Sequence, residues 1–232
     1  MAQKSLGGSP YQRLMTLHQS SYLSLLSIGQ GVSLAFLASV VYQHYRSFDA
    51  AAWIQVATVF TAIVLIWHGY VFGVAAFSWI PTLADTFIPF TFFAVEIGLS
   101  ATIPDRRDLY LFGLGALCLA AFAGFRNMDR NARRYEENAG VLKAMAGLVA
   151  ITQYYPLAMF PVCILSGLIA SRLPALLAST LALVGVLVMA GLVSRMSLLL
   201  RKYAEGQHME SQREGSSLTR LEGTSGGDPA DE

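Results

Sequence analysis

The chain is predicted to be an all-α, polytopic membrane protein with six transmembrane helices and both termini in the cytoplasm. Hydrophobic residues fill 54% of its 232 positions and charged residues only 13%, about half of the roughly 25% usual in soluble domains. Six apolar stretches fall near 21-43, 52-77, 83-103, 109-126, 144-171 and 175-199, each meeting or approaching the ~20 residues that cross ~30 Å of hydrocarbon. Lipid offers no hydrogen bonds to backbone groups, and barrel strands would alternate polar with apolar residues, so these stretches are helices.

The polar segment 1-19 leads into a first helix longer than the apolar region of a signal peptide, with no small-residue cleavage pattern behind it, so helix one is expected to remain. On it, Ser20, Ser24, Ser27 and Gly31 mark one face suited to close packing. Helix two carries Gly69 and Gly73 four residues apart, to the same effect. A proline-containing turn, Trp79 to Asp85, joins it to helix three. Helix four is expected to be the shortest, with residues 126-143 continuing it into solvent and Arg130, Arg133, Arg134, Glu136 and Glu137 pairing along the extension. Helix five is long, and Pro156 and Pro161 each remove a backbone donor, so a bend with freed carbonyls is expected near 152-157. Helix six is followed by a polar tail, 204-232, whose lack of apolar periodicity predicts disorder. The domain organisation is thus a membrane core over 1-203 and this tail.

Charge sets the orientation. With the termini inside, twelve Lys and Arg residues are cytoplasmic and four, Arg46, Arg106, Arg107 and Arg172, lie outside, as the positive-inside rule requires. The expected location is the plasma membrane or a bacterial inner membrane.

Glu96 is the only carboxylate, lysine or arginine deep inside any apolar stretch. A carboxyl group at mid-bilayer costs several kcal/mol unless protonated, paired or wetted, so it marks an ion path, a proton relay or a buried structural pair. At ~1.5 Å per residue, His68 on helix two, Gln30 on helix one, and Gln153 and Tyr154 on helix five reach a similar depth. Asp85 lies about 20° from Glu96 around helix three, placing an acid at the cytoplasmic mouth and another at the centre. Asp85 also suits a first-turn acid against the helix dipole, and His68 suits a partner of Glu96, a relay member or, least well, a haem ligand. The expected pathway comprises Glu96, His68, Asp85, Gln30, Gln153 and Tyr154, with Pro156 and Pro161 as the kink. On the outer side only Thr102, Thr58 and Thr61 lead from Glu96 toward water.

No HExxH, GxSxG, phosphate-binding glycine loop or paired Cys/His motif occurs. No catalytic residue, metal or cofactor is therefore expected. Cys118 and Cys163, both within spans, read as small apolar residues. Expected partners are the lipid bilayer and a small ion or proton, with a homo-oligomer allowed and nucleic acid disfavoured. The function these features predict is a membrane transport protein, channel-like or proton-coupled. The alternative is a non-transporting subunit or sensor that engages a cytoplasmic partner through 126-143.

Overall fold

The computed structural model describes residues 10-80 and 82-224. Six α-helices follow one another: α1 Pro10–His44, α2 Ala50–Ala76, α3 Leu83–Thr102, α4 Arg107–Ala132, α5 Ala139–Leu168 and α6 Ala175–Thr224. All six contain a segment long and apolar enough to cross a membrane. The fold is all-helical among the described residues, and the chain is an integral membrane protein.

The helices close into a ring. Helix α1 packs on α2 and α3, α2 on α6, α6 on α5, α5 on α4, and α4 on α3, whereas the sequence neighbours α2 and α3 touch only slightly. Around the ring the main core gathers Val59 and Ile63 from α2, Leu99 from α3, and Tyr110 and Leu114 from α4. A second cluster joins Phe72 and Trp79 to Met145 and Val149 of α5 and Met196 of α6.

Local chemistry sets the helix ends. Asp49 caps α2 by accepting a 2.8 Å bond from the Ala52 N–H, as a short acceptor at an N-cap should. Thr82 and Asp85 form a capping box on α3. Helix α5 runs unbroken through Pro156 and Pro161, and α3 through Pro89. A membrane bundle tolerates such prolines because neighbouring groups re-satisfy the backbone.

Three expectations about helix lengths and ends change. The shortest span is α3, at 20 residues, and not α4, which has 26. Helix α4 gains its last turn where Arg133 pairs with Asp129 at i,i+4 spacing. Residues 126-143 do not extend into solvent as one helix: α4 ends at Ala132 and a 3-10 turn, Glu136–Asn138, leads directly into α5. Asn138 fixes that turn, donating to the carbonyls of Ser78 (2.8 Å) and Ala132 (2.9 Å) and accepting from the Ser78 N–H (2.9 Å). Finally, α6 continues through the polar tail to Thr224, where disorder was expected from 204. Between Arg201 and Thr224 no proline interrupts the run, and the pairs Arg201–Glu205 and His208–Gln212 sit at i,i+4. Residues 225-232 of the expected tail lie outside the described residues.

Small residues mark a different face of α1 from the one expected. Ser24, Ser27 and Gly31 are exposed, while Tyr22, Leu26, Gln30, Ser33 and Leu37 are buried. Gly29 makes the close approach: a methyl there would collide with the ring of Phe93 on α3.

Candidate functional site: a buried carboxyl beside a six-helix cavity

Glu96 is fully buried, at 0% exposure, in the contact between α1 and α3. Its Oε1 accepts a 3.2 Å bond from Gln30 Nε2. The second oxygen, Oε2, is buried without a hydrogen-bond partner among the described residues, as are Gln30 Oε1 and the Ser33 hydroxyl. Ser33 lies one helical turn beyond Gln30 and faces the same carboxyl. A hydroxyl both donates and accepts, so Ser33 can serve either a carboxylate or a neutral acid.

The expected partners separate. His68 Nε2 lies 3.0 Å from the Ser197 hydroxyl on α6, a contact on the opposite flank of α2 from Glu96. Tyr154 is 50% exposed and packs at a tilt on Phe122, so it faces outward. Gln153 is buried, with its Nε2 unpartnered among the described residues. Of the predicted mid-membrane layer, only Gln30 and Glu96 bond each other.

Asp85 is buried at 5% exposure and saturated. Its Oδ2 accepts from the Thr82 N–H and hydroxyl at 2.6 and 2.7 Å, and its Oδ1 accepts from Asn127 Nδ2 at 2.7 Å. Asn131 Nδ2 adds contacts of 3.2 and 3.4 Å. This carboxyl therefore caps α3 and ties it to α4. Asn127 and Asn131 stand i,i+4 apart in the sequence, and that shared helix face is the signal that could have found them.

A cavity of about 160 Å³ lies inside the ring and takes lining residues from all six helices. Its wall is almost wholly apolar, with Tyr22, Tyr70, Asp85 and Asn127 supplying polar groups at one end. Tyr22 and Tyr70 meet edge to face at 5.8 Å between ring centres. Tyr70 lies within electrostatic reach of both Asp85 and Glu96 and packs on Phe92. Phe92 lines the cavity, whereas Glu96, one turn further on, does not. Tyr70 thus neighbours both acids, a link that sequence depth alone did not suggest.

The opposite end of the bundle holds a polar vestibule of about 780 Å³, built from the turns between α1 and α2, α3 and α4, and α5 and α6. Asp49, Gln55, Asp105, Arg106, Arg107 and Asp108 face it, and Arg107 ties it together by donating to the Ala170 carbonyl. Between vestibule and cavity sits a closed layer. Gln55 donates to Ser179 at 3.2 Å, and one turn deeper Thr58 and Tyr110, both 0% exposed, are neighbours. Loops, which hydropathy skips, supply the wet approach that Thr102, Thr58 and Thr61 do not.

Outside the spans, the bonds from Arg133 to Asp129, 2.9 and 3.0 Å, hold the guanidinium pKa above its ordinary value. Cys118 and Cys163 are free thiols that neighbour each other on the cavity wall. Among the described residues, no three His, Cys, Asp or Glu side chains converge as a metal site would need. Comparison with family models, curated proteins and solved structures finds no match to the chain.

Proposed function

We propose that the chain is a proton-coupled membrane transport protein that exposes its six-helix cavity alternately to the two sides of the membrane. The observation that carries this reading is the cavity's position. It lies between a polar vestibule and the Asp85–Asn127 end, and is shut from the vestibule by the Gln55–Ser179 and Thr58–Tyr110 layer. An open channel would need continuous polar lining, and an apolar chamber suits a carrier better. Glu96 is the proton-binding group, Gln30 and Ser33 tune it, and Tyr22 and Tyr70 couple it to the cavity and to Asp85. His68 acts on the α2–α6 contact through Ser197. The excess of Lys and Arg at the Asp85 end supports a reading with that end and both termini in the cytoplasm and the vestibule facing outward from a plasma or bacterial inner membrane.

The test is proton flux in proteoliposomes across pH, comparing the intact chain with Glu96→Gln at matched reconstitution. Flux that varies with pH and is lost in the folded variant is the expected result. Equal flux in both would remove Glu96 from the mechanism. The competing reading, a subunit or sensor without transport, draws on Arg130, Arg133 and Arg134, which stand exposed beside a rigidly docked turn. It predicts instead no flux in either protein and loss of a co-purifying partner on neutralising those arginines.

A further inference from the structure

We propose that Cys118, Cys163 and Met159 form a site on the cavity wall for one soft monovalent cation, Cu(I) or Ag(I), held between α4 and α5. That such an ion is carried across the membrane rests on the transport reading; the site itself rests on its three sulfurs.

Helices α4 and α5 approach closely where these residues lie. A methyl added at Gly115 would stand 2.9 Å from Ile164 and 3.6 Å from Cys163 Cβ, and one added at Gly167 would stand 2.8 Å from the Phe112 ring. Residue 112 is thus level with 167, and 115 with 163 and 164, in an antiparallel pair. Cys118 shares the face of Gly115 at i,i+3 spacing, so it comes level with the turn of α5 that runs from Met159 to Cys163. Met159 and Cys163, spaced i,i+4, share a face of α5.

The two thiols are free and share a side-chain hydrogen bond. Tyr155, one turn before Met159, lies within electrostatic reach of both, and all four side chains line the cavity. Met159 reaches across toward α6, where its Cε lies 3.3 Å from the position of a methyl on Gly185. Its unbranched chain has three rotatable bonds, enough to turn the thioether toward the thiols.

Donor type selects the ion. Thiolate and thioether sulfur are soft ligands that select Cu(I), whereas hard cations take oxygen. Structural zinc wants four N or S ligands, and among the described residues no three His, Cys, Asp or Glu side chains converge. Charge selects in the same direction. No Lys or Arg lines this apolar wall, so a complex with net charge would be costly to hold there. Binding of the cation M⁺ to one thiol forms the S–M bond and releases that thiol's proton. The second thiol and the Met159 thioether then complete the ligand set as neutral donors, and the complex is neutral. A divalent ion would stay charged unless both thiols ionised, and would still lack a fourth ligand.

The test is a calorimetric titration of the detergent-solubilised full chain with silver nitrate in chloride-free buffer. One tight equivalent per chain is expected, with one proton released, and Cys118→Ser and Cys163→Ser should each weaken it about a hundredfold or more. Met159→Leu should weaken it by a smaller factor. Two equivalents of equal affinity, or a single-cysteine variant that binds as the parent does, would mean independent thiols and overturn the site. Displacement of the silver by an equimolar amount of zinc nitrate would also overturn it. Should a variant fail to fold, the stoichiometry and proton count of the parent decide alone. The readout is binding and not flux. Proton flux in proteoliposomes without the tight silver site rejects the metal and keeps transport, and the silver site without flux does the reverse.

Discussion

Glu96→Gln preserves shape and leaves an oxygen to accept the Gln30 bond, so the variant is expected to fold with a melting temperature close to that of the parent in detergent. Asp85 behaves differently, because four donor groups converge on it. Asp85→Ala strands the buried amides of Asn127 and Asn131 and uncaps α3. A loss of about 1–3 kcal/mol or more is expected, read as a clearly lower thermal midpoint, whereas Asp85→Asn keeps an acceptor and recovers part of it. If Asp85→Ala melts with the parent, the carboxyl is not the tie between α3 and α4 that its bonds describe. At this scale the sequence was half legible. The period of α3 placed both acids on one buried face, and helical rise placed Gln30 at the depth of Glu96. Rise alone cannot say which face of a neighbouring helix turns inward, which is why His68 and Tyr154 joined the expected site and Ser33, Tyr22 and Tyr70 did not.

Hydropathy located every span at the level of the element, since burial in lipid demands length and apolarity alone. It was weakest where polar sequence is nonetheless ordered. The docked turn after α4 depends on one side chain: Asn138 bridges Ser78 and Ala132 with bonds of 2.8 to 2.9 Å. Asn138→Ala is expected to destabilise the protein by about 1–3 kcal/mol and to speed proteolysis between 126 and 143. Unchanged cleavage would mean the turn is held by packing. The continuation of α6 has its own test. Deleting 204-232 should lower far-UV helical ellipticity while leaving the thermal midpoint of the bundle in place; an unchanged helical signal would return that segment to the disorder its composition suggests.

For the whole molecule, ring closure decides what the cavity is, and no local pattern encodes it. The order α1, α2, α6, α5, α4, α3 could not be read from six apolar spans because lipid-facing and helix-facing residues are chemically alike. The order is testable at a buried polar pair. Gln55→Cys with Ser179→Cys, in a chain lacking Cys118 and Cys163, should be joined by a short bifunctional thiol reagent, since the native side chains bond at 3.2 Å across α2 and α6. The closed layer below the vestibule makes a second claim. Cys163 should react faster with a water-soluble thiol reagent in Tyr110→Ala than in the parent, because Tyr110, fully buried, neighbours it in that layer. Reaction at the same rate in both would mean the layer is not a seal.

Five of the chain's ten sulfur atoms, those of Cys118, Cys163, Met128, Met159 and Met189, face this one chamber. Sulfur is polarizable and soft, so this apolar wall is also where an oxidant does most damage. Each methionine converted to its sulfoxide places a strong dipole on a surface built to have none. Peroxide would then silence the chamber from within, without touching an acid or a turn, and a reductase acting on the unfolded or opened protein would be needed to restore it.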